Sequence, residues 1–576
     1  MRANNVGWHT RCQYFAGKLL KVFWHFYVTI GTAAHDMSPQ SKNFVALNPP
    51  VLQTRAMKIF WMAFALAGTV LSLHAKSYDV ILRNGRLADG TGNPARFVDV
   101  AIKKGRIAAI GNIKERAKEE LDVRGMIIAP GFVDVHTHAE GIEDEPLAEN
   151  FVRMGVTTLV LGNCGGSKLE VGKFFKALEK TNISPNVATL IGHGTVRGKA
   201  MGGSFLRPPT DAELNHMRSL VEQAMKDGAV GMSTGLIYLP GTFAKTEEII
   251  ELAKVVSKYG GVYATHQRSE SDGIYKSLEE VFRIAREAKL PAEISHIKLS
   301  GKANWGQTEK VLAAIEKARA EGLDITQDQY SYTASSTGIS QLIPEEAREG
   351  KKFNERLGDP AQKAKIIEQM RDGLKRRGND DYSYAVIASY RDDKSLNGLN
   401  IVEAAKKKRG NDSLDNQIEM ILEIEKNGGA SAVFHGMSEE DVRKFMQHPN
   451  TMIAADSGIR TFGSGVPHPR GYGNNARVLG RYVRDEKVLA LEDAIRKMSS
   501  LPARTFNLKD RGEIREGNWG DIVVFDPATV TDNANYKDPH HYSTGFKYVF
   551  VNGIAVVEND NHTGARPGMA LRHSVK

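Results

Sequence analysis

Residues 131–138 read GFVDVHTH, and this stretch decides the fold prediction. Side chains alternate between the two faces of a strand, so Asp134, His136 and His138 share one face. The two imidazoles would then meet at the carboxyl end of the strand, where (β/α)8 barrel enzymes hold their active sites. A single buried histidine is usually a packing residue, but two at this spacing favour a pair of metal ligands.

Four further strand-like runs end in or near a side chain that can bind a metal. Cys164 closely follows the run 157–161, and Asp456 ends another run. His266 and His296 end two runs that lie one β-α unit apart. A mixed set of thiolate, imidazole and carboxylate suits Zn²⁺ better than Mg²⁺ or Ca²⁺, which prefer oxygen. The sequence therefore predicts a zinc site at one end of a barrel.

Strand-like and helix-like patterns alternate through residues 131–508, which we predict to form the barrel. The helix-like stretch 246–259 carries an apolar stripe and has two glutamates in its first turn, where the helix dipole favours them. Repeated β-α units indicate a parallel sheet with buried strands. Residues 340–425, approximately, are more polar and are predicted to be an insertion. The runs predicted as strands are 132–138, 157–161, 188–191, 229–233, 261–266, 291–296, 324–328, 431–435 and 452–455.

Both ends of the chain are rich in short strands joined by tight turns. Asn84-Gly85 and Asn552-Gly553 each connect two strand-like runs, and Asn-Gly is a strong hairpin signal. The segments 76–130 and 509–576 are therefore predicted to pair into one small β-sandwich, although each could instead be an independent decoration. The predicted fold class is α/β, a TIM-like (β/α)8 barrel with a β-sandwich domain formed by both chain ends.

The formal charge of +9 is concentrated near the N-terminus. Residues 1–75 hold seven Lys or Arg and one Asp, so their net charge is +6, and that of residues 76–576 is +3. The longer segment has no dense basic stripe with interleaved aromatic residues. Nucleic acid is therefore not an expected partner.

Residues 57–75, MKIFWMAFALAGTVLSLHA, have the layout of a secretory signal peptide, with a charged start, an apolar run and a small final residue. We predict that Met57 is the true start, that residues 1–56 are a mis-assigned extension, and that the protein is exported to the periplasm or secreted. An uncleaved membrane anchor is the alternative, although the run is short for a span of about 20 residues. Of the two cysteines, the mature chain would keep Cys164 alone. It would have no stable membrane span after signal cleavage.

The chain resembles the D-aminoacylase (N-acyl-D-amino-acid deacylase) family of the amidohydrolase superfamily over residues 78–572, approximately. The paired His-x-His is shared across that superfamily, whereas the cysteine motif and the loop 233–241 are specific to this branch. The motifs that carry the resemblance are GFVDVHTH (131–138), GNCG (162–165), GHGTVR (192–197), STGLIYLPG (233–241), THQRSE (265–270), ISHIK (294–298), NWG (304–306), DSG (456–458) and HPR (468–470).

The resemblance implies zinc-dependent hydrolysis of a small-molecule substrate, an N-acyl-D-amino acid, to a carboxylate and a free D-amino acid. It implies one tightly bound zinc ion held by Cys164, His266 and His296. Asp456 would accept the proton of the attacking water and pass it to the leaving amine. A weaker second metal site would be formed by His136, His138 and Asp456, with Cys164 able to bridge.

Substrate recognition needs a cation for the α-carboxylate. The resemblance implies Lys298, together with Tyr238 and Tyr330, and strand alternation would place Lys298 on the same face as the zinc ligand two residues before it. Arg470 is a second candidate because its planar guanidinium suits carboxylates. Either cation could instead be an ordinary surface charge. His193 is a further side chain that could face the site.

Several alternatives stay open at this point. Cys164 could act as a papain-like nucleophile, although a thiolate among imidazoles more naturally binds a soft metal. Asp456 could be the N-cap of a helix. The enzyme could be a cyclic-amide hydrolase of the dihydroorotase or hydantoinase type, or the chain could be a catalytically inactive binding protein on the same fold. The preferred side chain and acyl group, and the oligomeric state, are left unpredicted.

Overall fold

The computed structural model describes residues 78–574, which belong to the compact unit Lys76–Lys576. The predicted extension 1–56 and the predicted signal peptide 57–75 lie outside the described residues. Among residues 78–574, no helix combines the length and the apolar character needed to cross a membrane.

Eight successive strands form a ring of parallel pairs, the predicted (β/α)8 barrel. Each strand pairs in parallel with the next along the chain. The ring closes where Ser457 and Gly458 of the last strand pair with Thr137 and His138 of the first. The strands, three of them interrupted, are Phe132–Asp134 with Thr137–His138, Val156–Leu161, Asn186–Thr189 with Ile191–Gly192, Gly231–Gly235, Val262–His266, Ala292–Ile294, Ile325–Gln329, and Thr451–Ile453 with Ser457–Gly458.

Helices between the strands cover the barrel with their apolar faces. Thr246–Lys258, for example, buries the predicted stripe that includes Ile249 and Val256 and carries Glu247 and Glu248 in its first turn. The helices of this part are Glu149–Val152, Val171–Thr181, His193–Met201, Asp211–Asp227, Thr246–Lys258, Ile274–Ala288, Thr308–Ala320, Glu439–Gln447, Arg470–Arg477, Leu491–Met498 and Ser500–Thr505, with the π-helix Val478–Asp485 and the 3-10 turns Gly241–Phe243 and Lys302–Asn304.

An antiparallel layer interrupts the barrel before its last strand. Its three strands pair in the order Ser335–Gly338, Ala430–Phe434, Ala385–Tyr390. The run 431–435, predicted as a barrel strand, lies in this layer, and that prediction was wrong because a short buried strand looks the same in either sheet. The other elements of the layer are the helices Phe353–Gly358, Pro360–Arg376, Ile401–Arg409 and Leu414–Lys426 and the 3-10 turns Ile339–Leu342, Glu345–Lys351 and Lys394–Leu396.

The two ends of the described chain share one nine-stranded sheet, as expected for a single β domain. Ile522–Phe525 pairs antiparallel with Ile127–Pro130 and so joins the C-terminal strands to the N-terminal ones. The buried Arg511 forms an ion pair with Asp521 and donates to Asn552 Oδ1 at 2.9 Å within the C-terminal part. The other strands are Tyr78–Leu87, Arg96–Lys103, Arg106–Gly111, Ala117–Asp122, Phe546–Val551, Ile554–Glu558 and Asn561–His562.

Candidate active site

The ends of the barrel strands bring together the six side chains predicted to bind metal. In each of three overlapping groups the ligand atoms all lie within 4.8 Å of one another. Each pair of groups shares one member, so the three groups form one cluster. The groups are His136, His138 and Cys164; Cys164, His266 and His296; and His136, His296 and Asp456.

Cys164 is the member that joins the first two groups. Its Sγ lies 3.3 Å from His136 Nε2. The same sulfur is 3.7 Å from His296 Nε2 and 3.9 Å from His266 Nδ1. Burial opposes ionisation of the thiol, but the neighbouring imidazoles, His136 first, outweigh it and hold the pKa of Cys164 well below its ordinary value. A thiolate flanked by imidazoles is a donor set that fits Zn²⁺.

Asp456 links the cluster to a cation. Its Oδ1 lies 3.3 Å from His138 Nε2 and 3.6 Å from His136 Nε2. Its Oδ2 lies 3.0 Å from Arg470 Nη2. Burial alone would raise the pKa of the carboxyl, but Arg470 and the imidazoles outweigh it and hold the pKa of Asp456 well below its ordinary value. The carboxylate is therefore ionised at neutral pH and available as a proton acceptor.

Three of the six side chains sit on backbone that non-glycine residues rarely adopt. The φ angles are +52° at Cys164, +37° at His296 and +46° at Asp456, all in the left-handed region. Such conformations cost free energy and cluster at functional sites, where the surrounding structure imposes them. Here the three residues lie after the ends of barrel strands, where the chain turns. The backbone conformation at these positions therefore helps to direct their side chains toward the cluster.

Asp328 supports the cluster from behind and was not selected from the sequence. Its Oδ2 lies 3.2 Å from His136 Nδ1, and its Oδ1 accepts a hydrogen bond from the His296 backbone N–H at 3.0 Å. A carboxylate on the far nitrogen fixes the orientation of a metal-binding imidazole. The signal was present, because Asp328 ends a predicted strand as the other site residues do.

Two of the predicted substrate-binding residues line a cavity of about 180 Å³ beside the cluster. Lys298 Nζ donates to Glu270 Oε1 at 2.5 Å and to the His296 carbonyl at 2.8 Å. Tyr238 packs edge-on against His266, with 5.0 Å between ring centroids. The metal candidates His266, His296 and Asp456 line the same cavity, so a molecule bound there would touch both sets of residues.

The other two predicted substrate-binding residues, Tyr330 and Arg470, are not among the residues that line this cavity. Tyr330 is fully buried and its hydroxyl donates to Met437 Sδ at 3.4 Å. The guanidinium of Arg470 lies 4.4 Å from the centre of the Tyr330 ring. Two buried nitrogens of Arg470, Nε and Nη1, have no hydrogen-bond partner within residues 78–574. Arg470 is therefore a buried partner of Asp456 and no surface charge.

His193 is not a member of the metal groups. It is buried, and its Nε2 lies 2.8 Å from Glu248 Oε1. Arg197, one helical turn along the chain, binds the same carboxylate through Nε at 3.1 Å. His193 thus belongs to a buried ion-pair network at the start of its helix, which the sequence did not indicate because Glu248 lies 55 residues away.

Comparisons with known proteins identify the family of this chain. The profile of the amidohydrolase family matches residues 119–557. D-aminoacylase of Alcaligenes xylosoxydans xylosoxydans is 35% identical over 523 residues, which cover 86% of this chain and 98% of that protein. The N-acyl-D-glutamate deacylase of Bordetella bronchiseptica, solved with zinc and a phosphonate inhibitor, is 32% identical with a TM-score of 0.74, and the match covers 86% of this chain and 99% of that one.

A more distant structure shares the fold of this chain but little of its sequence. Dihydropyrimidinase of Brevibacillus agri NCHU1002 matches 86% of this chain and 98% of its own with a TM-score of 0.53, but only 14% of residues are identical. That match reports the fold alone. The family profile and the long matches above 30% identity identify the relatives. The chain belongs to the amidohydrolase family, in the branch of D-aminoacylase and the other N-acyl-D-amino-acid deacylases.

Proposed function

We propose that this protein hydrolyses the amide bond of N-acyl-D-amino acids with the help of one tightly bound zinc ion. The observation that carries the proposal is the convergence of Cys164, His266 and His296 beside Asp456 at one cavity. The two relatives named above that exceed 30% identity are a D-aminoacylase and an N-acyl-D-glutamate deacylase, and the second was solved with zinc. The cyclic-amide alternative draws weaker support, because the hydantoinase-type structures match at 13–15% identity and the allantoinase match covers only 15% of this chain.

The residues present fit the metal. Cys164, His266 and His296 would hold the tight ion, since a half-buried thiolate and two buried imidazoles are ligands that Zn²⁺ prefers. His136, His138 and Asp456 would form the weaker second position. When bound, zinc supplies Lewis acidity, which makes water acidic enough to lose a proton near neutral pH and polarises the amide carbonyl.

The protein's own groups move the proton and hold the substrate. Asp456, ionised because of Arg470, would take the proton from water as the carbonyl is attacked and deliver it to the leaving nitrogen, which must depart as an amine. Lys298 lines the cavity and would bind the α-carboxylate, with Tyr238 on the neighbouring wall. These contacts would fix the orientation of the scissile bond relative to Asp456.

The test of this function is a substrate panel. Purified protein, loaded with zinc, is offered matched pairs of N-acetyl-D- and N-acetyl-L-amino acids, and the released amine is measured with ninhydrin. We expect turnover of D-substrates alone, and its loss on dialysis against a chelator. Zinc binding without turnover of any D-substrate would contradict the proposal.

Removing the Arg470 cation should shift the acidic limb of the kcat–pH profile to higher pH. Arg470 lowers the pKa of Asp456, so R470M raises that pKa. The reaction needs the ionised carboxylate. As the solution is acidified, Asp456 of R470M should become protonated, and activity should be lost, at a higher pH than in the wild type. The acidic limb of kcat against pH, measured at saturating zinc, should therefore shift to higher pH.

Arg477 provides the matched control for this variant. It lies on the same helix and forms its own ion pair, with Asp532 at 3.1 Å. R477M should leave the acidic limb in place. An unshifted limb in R470M would exclude Asp456 as the group whose ionisation limits the rate.

Export is a further proposal, supported by residues 57–75. A charged start, an apolar run and a final small residue are typical of a secretory signal. Sequencing the N-terminus of the native protein tests it. A first residue near Lys76 is expected, and a mature chain that begins well before Lys76 would refute the signal peptide.

A further inference from the structure

Glu270 is a buried carboxylate that the proposed reaction leaves without a role. It ends the motif THQRSE, four residues after His266, and its side chain is 11% exposed. It lines the same cavity as His266, His296 and Lys298. Its carboxylate lies within 4 Å of a nitrogen of each of these three side chains, so it links the predicted metal ligands to the predicted substrate-binding lysine.

The two oxygens of Glu270 face the outer nitrogens of the two zinc-binding imidazoles. His266 and His296 turn Nδ1 and Nε2, respectively, toward the Cys164 sulfur. Their other nitrogens face Glu270. His296 Nδ1 lies 2.9 Å from Oε1, and His266 Nε2 lies 3.8 Å from Oε2. A neutral imidazole that binds metal through one nitrogen carries its hydrogen on the other, and a carboxylate there orients the ring.

Lys298 contacts both members of the pair formed by Glu270 and His296 Nδ1. Its Nζ lies 2.5 Å from Glu270 Oε1 and 2.9 Å from His296 Nδ1. An ammonium can only donate hydrogen bonds. If His296 binds metal through Nε2, its Nδ1 also carries a hydrogen, so Lys298 and Nδ1 become two donors that face each other. The contact between them is then lost, and Glu270 is the acceptor that both still share.

We propose that Glu270 is a positioning residue that couples metal binding to the substrate grip; the inference rests on the proposed function. It holds the His296 imidazole in the orientation that zinc requires, and its second oxygen faces His266 Nε2 at 3.8 Å, beyond hydrogen-bond distance. It also tethers Lys298, whose contact with His296 Nδ1 is lost when zinc binds. The His296 carbonyl and Glu270 still accept from the ammonium, so one donor becomes free for the cavity and the substrate α-carboxylate. An N-acyl-D-amino acid therefore meets a competent cation only in the metal-loaded enzyme.

The first test is zinc affinity, measured by competition with a chromophoric chelator. E270Q removes the charge and places an amide beside the two imidazole N–H groups, so we expect zinc to bind about 10- to 100-fold more weakly, the usual cost of losing a supporting carboxylate. E270D keeps the charge and should recover part of the affinity. At saturating zinc E270Q should raise KM more than it lowers kcat.

Glu280 is the matched control, because its side chain is also 11% exposed and also accepts hydrogen bonds from a cation, Arg268. E280Q should bind zinc as the wild type does. Wild-type zinc affinity in a folded E270Q would overturn the proposal, as would an equal loss in E280Q. Neither result needs a substrate, so both differ from a failure of the proposed deacylation.

A second test uses the wild-type protein and so does not depend on the folding of a variant. Reductive methylation followed by mass spectrometry compares Lys298 with the exposed Lys276 in metal-free and zinc-loaded protein. Lys298 should be labelled faster, relative to Lys276, when zinc is bound. Equal or slower labelling would contradict the release of Lys298.

Discussion

Replacing Asp456 with asparagine should lower kcat by about 100- to 10,000-fold, the range that a general acid–base group contributes. Asparagine has nearly the same shape but no oxygen that accepts a proton at neutral pH, whereas Arg470 keeps Asp456 ionised. The tight metal group of Cys164, His266 and His296 does not contain Asp456, so D456N should still bind one zinc per chain. Steady-state rates with a D-substrate and metal analysis of the same sample measure both quantities.

Asp532 is the control for that variant. It pairs with Arg477 at 3.1 Å, as Asp456 pairs with Arg470 at 3.0 Å, and the two carboxylates are similarly buried, at 11% and 9% exposure. D532N should leave kcat near the wild-type value. If D456N kept most of its activity, Asp456 would be a structural residue after its strand and another group would carry the proton.

The second large effect is expected at Cys164. C164A removes the ligand that joins two of the three metal groups, so the fall in zinc affinity should exceed the loss of about 10- to 100-fold that follows removal of a mere supporting group. Activity at stoichiometric zinc should fall in parallel, because both depend on the same site. Chelator competition and rate measurements on the same preparations test this.

C164S separates the two roles considered for this residue. Serine replaces the thiol with a hydroxyl of similar size, which is a poor ligand for a soft metal, so C164S should lose zinc as C164A does. A C164A protein that binds zinc normally yet is inactive would instead favour a covalent nucleophile. Normal zinc binding with undiminished activity would remove Cys164 from the site.

The sequence predicts the barrel well, because its strands follow from local patterns, and the same patterns select the residues predicted to bind metal. A parallel strand is short and apolar, and its carboxyl end lies at the face where barrel active sites form. His136, Cys164, His266, His296 and Asp456 each occur at such an end, and the structure brings them together. The pairing of both chain ends was indicated by strand-rich segments alone, without any indication of register.

What the sequence misses depends on contacts between distant residues. Asp328 supports His136 from 192 positions away, and Glu248 binds His193 across 55. The sequence gives no sign of the left-handed backbone at Cys164 and His296, because non-glycine residues rarely adopt it. The run 431–435 has the pattern of a barrel strand but pairs within the antiparallel layer. The hydrophobicity of a short run does not indicate which strand it pairs with.

One sulfur and the surrounding imidazoles are proposed to bind the zinc ion that the reaction uses. Zinc K-edge X-ray absorption of the purified, active protein tests this most directly. We predict one sulfur scatterer at about 2.3 Å together with nitrogen or oxygen at about 2.0–2.1 Å. A first shell of nitrogen and oxygen without sulfur, in protein that hydrolyses a D-substrate, would contradict the account.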